Sequence, residues 1–104
     1  MTNVAPRATL QTMIKSFVHK GLEQFFQTGA KAGIQAHHAD KLSLQLAALN
    51  QASRPQDLNA PSWRLHQLKG SLKGHWSITV NGNWRLTFKF DRNDVILLDY
   101  QDYH

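Results

Sequence analysis

A chain of 104 residues, 41% hydrophobic and 10% aromatic, can build one packed domain and is too short for two. It contains no cysteine, which excludes a disulfide framework, thiolate metal sites and a cysteine nucleophile. Twelve Lys and Arg against seven Asp and Glu leave a net charge of +5, which favours a polyanionic partner, nucleic acid first. No run approaches the ~20 apolar residues that span a bilayer. Met1 to Thr12 carries one charge, Arg7, and no long apolar run, so it does not read as a secretory signal. A cytoplasmic protein without membrane association is expected.

In chain order, residues 1–12 read as a flexible N-terminal extension and residues 13–104 as the domain. Met13 to Val18 is a short strand candidate. Leu22, Phe25 and Phe26, followed by Gly29, have the spacing of an amphipathic helix with a glycine stop. Gly33 closes the connection to a second helix, Gln35 to about Ala52, with an apolar stripe at Ala39, Leu42, Leu46 and Leu49. Ser53 to Ser62, with Pro55 and Pro61, reads as a loop. The period then changes to two. Trp76, Ile78 and Val80 form one strand and Trp84, Leu86, Phe88 and Phe90 another, with Asn81-Gly82 as the hairpin signal. A last strand runs from Val95 to His104. It is apolar on both faces as far as Leu98, as a central strand would be.

A two-residue loop at Asn81-Gly82 would place the two apolar rows on opposite faces. A three-residue loop, Val80-Asn81-Gly82, repairs this by setting Ile78 opposite Trp84 and Trp76 opposite Leu86, with Gly82 in the left-handed region. His75, Ser77, Thr79, Arg85, Thr87 and Lys89 then share the face away from the core. That makes a polar, basic platform suited to RNA, while the helices cover the other face.

The charge is unevenly placed. Trp63 to Arg92 carries six bases against Asp91, whereas Asn93 to His104 carries Asp94, Asp99 and Asp102 and neither Lys nor Arg. A site that needs both phosphate contacts and acid–base groups would look like this; so would a strand meander with ordinary exposed charges.

Four blocks in order carry a family resemblance: MIKSFVHKGLEQFF at Met13 to Phe26, RLHQLKG at Arg64 to Gly70, WSITVNGNWRLTF at Trp76 to Phe88, and LDYQDYH at Leu98 to His104. In these the chain resembles HigB-type toxins of the RelE superfamily, from bacterial toxin–antitoxin modules. Members begin near the position of Met13, so residues 1–12 depart from the pattern. The resemblance implies an α+β, microbial-ribonuclease-like fold: a mainly antiparallel twisted sheet packed by an N-terminal helical pair. It implies ribosome-dependent endonucleolytic cleavage of mRNA in the A site of the 70S ribosome, which stops translation. The implied partner is a HigA-type helix-turn-helix antitoxin, with operator DNA reached only through it.

The resemblance also assigns residues. His66 and His104 match catalytic positions, and Asp102 and Tyr103 complete the terminal cluster. Lys69 and Arg85 match positions that hold phosphate or stabilise the transition state; Lys73 and Lys89 are further substrate-binding candidates. No cofactor is implied. RNA brings its own nucleophile, the 2′-hydroxyl, so acid–base groups plus cations suffice without a metal. Histidine, with a reference pKa of ~6.5, suits the proton transfers, and arginine's planar fork suits the phosphorane. On a regular strand Asp102 and His104 face the same way and Tyr103 the other, so Asp102 would orient His104, and Tyr103 would share the site only if the strand end twists or bends, or would stack from the rim. Arg85 could also pair with Asp99 or Asp102. Trp63, Trp76 and Trp84 are expected as core anchors, and His19, His37 and His38 as surface residues.

Three rivals remain open at this stage. A non-catalytic RNA- or DNA-binding module explains the charge but not an acidic, His-ended terminus. A metalloprotein is suggested by six His, but the adjacent His37 and His38 diverge on a helix and no His-Glu-x-x-His motif exists. An inactive toxin serving as a corepressor is disfavoured by the retained site residues.

Overall fold

The computed structural model describes residues 13–103. The expected N-terminal extension, residues 1–12, and the expected catalytic His104 lie outside the described residues.

Two helices precede the sheet. In α1, Lys20–Thr28, the His19 ring Nδ1 accepts the Leu22 N–H at 2.9 Å, which satisfies one of the helix's free first-turn donors. Gly29 ends it at φ 83, donating its N–H to the Phe25 carbonyl, a conformation that glycine adopts without strain. Leu22 and Phe25 are buried, and the half-buried Phe26 meets Phe17 at a centroid distance of 5.7 Å. Gly21 and Gly33 lie in backbone contact: a Cβ on Gly21 would fall 2.4 Å from the Gly33 carbonyl oxygen. The second helix was expected from Gln35. The chain instead makes a 3-10 turn at Ala36–His38 and then α2, Ala39–Gln51. The stripe Ala39, Leu42, Leu46 and Leu49 is buried as its spacing predicts. Gln45 is buried beside it and ties α2 to the sheet through Nε2, which donates to the Thr79 carbonyl at 2.8 Å. The predicted loop holds two short 3-10 turns, Pro55–Leu58 and Pro61–Trp63, that set Leu58 and Trp63 into the core.

The sheet is antiparallel in the order β1 (His66–Gln67), β2 (Trp76–Asn81), β3 (Trp84–Asp91), β4 (Asp94–Asp102). The stretch expected as a strand at Met13 to Val18 reaches the far side of β4 as two isolated parallel bridges, Ile14 to Val95 and Phe17 to Leu98. It makes β4 an interior strand, as its two-sided apolar run predicts. Ile78, Leu86, Phe88, Val95 and Leu98 are fully buried with Leu22, Leu42, Leu46 and Leu49 in one cluster. Each such side chain contributes about 1.5–3 kcal/mol relative to exposure.

The hairpin differs from expectation by two residues. Ile78 opposes Leu86 and Trp76 opposes Phe88, while Asn81 pairs with Trp84 across Gly82-Asn83. An even shift leaves every side chain on its expected face. The odd residue is absorbed inside β2, where Val80 bulges between Thr79 and Asn81 and stays buried, rather than in the loop. Gly82 does take the left-handed conformation, φ 56.

A second bulge has no counterpart in the sequence reading. Thr87 opposes Asp99, yet Lys89 opposes Ile96, so β4 spends one extra residue there. Leu97 occupies it at φ 55, and its N–H bonds the Ser16 hydroxyl at 2.8 Å. The strand's alternation therefore reverses: Leu98 and Tyr100 point to the core after Val95, and Asp99 and Gln101 to the opposite face.

Candidate active site

The face turned from the helices carries two cross-strand rows. One runs His66, Ser77, Thr87, Asp99 over all four strands. The next runs Thr79, Arg85, Gln101. Directly opposed residues share a face, so these form one polar surface. Its floor is drier than expected for an open platform: Ser77 is 0% and Thr87 1% exposed. Gln101 Nε2 donates to the Thr87 hydroxyl at 3.0 Å. The Ser77 and Thr79 hydroxyls are buried without a hydrogen-bond partner among the described residues.

His66 stands exposed at one end of the first row. Its Nδ1 lies 2.9 Å from the Arg64 carbonyl oxygen. A carbonyl only accepts, so Nδ1 carries a proton, which leaves Nε2 as the nitrogen of the neutral ring that can take up another. Arg64 makes this contact from the left-handed region, φ 52.

Arg85 is half-buried in the next row. Its Nη1 donates to the Gly82 carbonyl at 3.1 Å, and its guanidinium carbon lies 6.0 Å from the centroid of the Tyr103 ring. The Tyr103 N–H in turn donates to the Asn83 carbonyl at 2.8 Å. The Gly82-Asn83 turn thus positions both residues, and a cation over an aromatic face holds them together. The expected acid partner for Arg85 gives way to this carbonyl and ring.

The bulge at Leu97 corrects the expected orientations at the end of β4. Tyr103, expected to point away, lies with Arg85 on the polar face. Asp102 instead opposes Trp84, whose ring packs on Tyr100 at 4.5 Å on the core side. Asp102 is exposed there, on the other face from Arg85.

The basic candidates gather beyond β1. A cleft of about 520 Å³ is lined by Gln67, Leu68, Lys69, Gly70, Lys73 and Gly74. Lys69 and Lys73 are exposed on it. The half-buried Lys89 approaches from β3: its Cε and Nζ would be 3.6 and 3.8 Å from a Cβ on Gly74. Lys69 and Lys73 therefore line one cleft, whose wall at Gln67 follows His66 in the chain, and Lys89 reaches its Gly74 edge.

Several residues fall outside expectation. Asp99 and Gln101 belong to the polar face, and only the bulge puts them there. His37 is exposed and His19 half-buried as the α1 cap, but His38, expected at the surface, is 2% exposed. Burial, and then the neighbouring His37, lower its pKa from the ordinary 6.5. Trp63 is buried as expected, with Trp76 and Trp84 half-buried at the core margin. No described helix is long and apolar enough to cross a membrane.

A helical pair on one face of a four-stranded antiparallel sheet, with the polar groups on the other, is an α+β fold of the RelE kind. A crystal structure of a YafQ mutant from E. coli shares it, with a TM-score of 0.58 over 88% of this chain and 93% of that one, at 21% sequence identity. Residues 15–104 match the HigB-like toxin family, described as RelE-like toxins of type II toxin–antitoxin systems, and the chain belongs to that family. It is 46% identical over 92 residues, 88% of this chain and the whole of the relative, to the protein named Endoribonuclease HigB of Proteus vulgaris. It is 35% identical over 94 residues, 88% of this chain and 98% of the relative, to Toxin HigB-1 of Vibrio cholerae. Membership of a toxin–antitoxin family implies an antitoxin partner.

Proposed function

We propose that this toxin is an endoribonuclease that cuts mRNA in the ribosomal A site without a metal, using the RNA 2′-hydroxyl as nucleophile. The observation that carries the reading is the exposed His66, its Nδ1 committed to the Arg64 carbonyl, on the same sheet face as the Arg85–Tyr103 pair. The name of the Proteus vulgaris relative supports the activity.

His66 accepts the 2′-hydroxyl proton at Nε2. The 2′-oxygen attacks the adjacent phosphorus, and the bond to the 5′-oxygen breaks. The products are a 2′,3′-cyclic phosphate, or the 3′-phosphate from its opening, and a 5′-hydroxyl. Arg85 stabilises the charge that develops on the phosphorane. Tyr103 holds Arg85 and offers a ring against which a base can stack. His104 protonates the leaving oxygen, with Asp102 near the same terminus. Lys69, Lys73 and Lys89 hold the flanking backbone at the cleft, where ammonium groups serve as point charges for phosphates.

The site of action is then the cytoplasm, on the 70S ribosome. A HigA-type helix-turn-helix protein is the antitoxin, through which alone the toxin reaches operator DNA. The decisive experiment induces the toxin with and without the antitoxin gene and maps mRNA 5′ ends. New 5′-hydroxyl ends on translated mRNA, suppressed by antitoxin, are expected. Growth arrest without such ends would return the protein to the class of non-catalytic binders.

A further inference from the structure

Tyr100 lies on β4 two residues before Asp102 and three before Tyr103. Its side chain points to the core, and it is 3% exposed. Its hydroxyl leaves the sheet to meet the 3-10 turn ahead of α2. There it lies 2.6 Å from His38 Nδ1 and accepts the Gln35 N–H at 3.3 Å. The Gln35 N–H occupies one lone pair of the phenol oxygen, and the arrangement that also satisfies the buried phenol proton has it donated to Nδ1 of a neutral His38 whose own proton is on Nε2. The Tyr100 ring is held as well, by Trp84 at 4.5 Å and by His19 edge-on at 5.2 Å.

Packing alone does not require this pair. Phenylalanine and leucine would fill the space without burying a hydroxyl and an imidazole, which is costly unless both are bonded. The surroundings show where a bond is useful. The Met13–Val18 stretch supports the outer side of β4 only as far as Leu98, where Val18 N–H meets the Leu98 carbonyl at 2.8 Å. Beyond Leu98, β4 has β3 on one side and no described strand on the other. There Tyr100 bonds the helical layer, through Gln35 and His38. It stacks on Trp84, which opposes Asp102, one residue from Tyr103.

We infer that the Tyr100–His38 hydrogen bond is a positioning device for the RNA-cleaving end of β4, fixing the strand against the Gly82-Asn83 turn and so placing Tyr103 beneath Arg85. This rests on the functional reading above. Tyr100 and His38 face away from the substrate side, so both are positioning residues rather than catalytic ones.

The test uses Tyr100→Phe, which removes one hydroxyl and keeps the ring, His38→Leu, which removes the acceptor, and His38→Gln, which restores one. Cleavage is followed on ribosomes programmed with a defined mRNA. Tyr100→Phe and His38→Leu should lower kcat by about tenfold with KM within about twofold, because misplacement taxes the transition state more than binding. His38→Gln should recover most of the loss. Amide hydrogen exchange on the isolated toxin gives an activity-free readout. Protection of the Tyr103 N–H should fall in Tyr100→Phe, while the interior of α2 keeps its protection.

Cleavage by Tyr100→Phe within twofold of the parent, or an effect on KM alone, overturns the inference. So does unchanged Tyr103 protection, or uniform loss of protection across the fold, which marks general destabilisation. If the parent toxin produces no cleavage, the functional reading fails, and the exchange data still decide whether the bond fixes the strand end.

Discussion

The two faces of the sheet are built by opposite rules from the same four strands. On the helix-covered face, Ile78, Leu86, Phe88 and Leu98 are closed off completely and any apolar group of similar volume would serve. On the other face, identity matters more than volume: an imidazole with one nitrogen committed to a carbonyl, a guanidinium seated on a turn and a ring, and buried hydroxyls between them. Burial is therefore a poor guide to which residues work. Ser77 is as inaccessible as Leu86 yet lies beside His66 in the functional row.

Substitutions should separate the faces. The largest effect is expected from His66→Ala, which should reduce cleavage by about 10²–10⁴-fold, the range for a lost acid–base group, and leave the melting temperature close to that of the parent because the ring is exposed. Arg85→Lys should also fail to cleave at parental rates, since an ammonium cannot both bond the Gly82 carbonyl and present a fork to phosphate. Leu86→Ala should do the converse, costing about 2–5 kcal/mol in denaturant unfolding while the folded fraction still cleaves. A catalytic loss in Leu86→Ala beyond its unfolded fraction would break the division between faces.

The pH effect is smaller. His38 is neutral when folded and its pKa is below the ordinary 6.5, so the unfolded chain takes up the proton first as pH falls. Stability is then full above about pH 6.5 and declines below it through the folded pKa, by at most about 1.4 kcal/mol per pH unit. His19, His37 and Tyr100 are the titratable groups that adjoin the cluster. His38→Gln should flatten the decline measured by urea unfolding at a series of pH values; an unchanged slope would remove His38 as its source. The smallest effect is expected of Ser77→Ala. Removal of an unpartnered buried hydroxyl should leave stability unchanged or raise it by up to about 1 kcal/mol. A stability loss of several kcal/mol would show that the hydroxyl is bonded after all.

Most of the scaffold was legible because it rests on periodicity. The α1 stripe and its Gly29 stop, the α2 stripe and the two-residue alternation of β2 and β3 all reflect one buried face per element. What escaped was whatever changes the count by one residue. The sequence signal at Asn81-Gly82 is a turn signal, and it does not say whether the extra residue sits in the loop or in the strand; the strand takes it, beside the Thr79 carbonyl that Gln45 holds from 34 residues away. Leu97 gives no local sign of its bulge; it is fixed by Ser16 across the sheet. Hence the facing of Asp102 and Tyr103 was reversed, although their assignment to the terminus needed only the motif. His38 was missed for a similar reason, since its partner Tyr100 belongs to the other end of the chain.

The position of β4 carries a further consequence, for the order in which the molecule comes into being. It is synthesised after every element it touches, yet it sits between β3 and the Met13–Val18 stretch. Ser16 must wait for Leu97, 81 residues later, and Arg85 must wait for Tyr103. Contacts of such long sequence range form slowly and late. A nascent chain on its own ribosome therefore has its lysines and His66 in place well before Arg85 meets Tyr103, and the site is assembled only once the last strand enters the middle of the sheet.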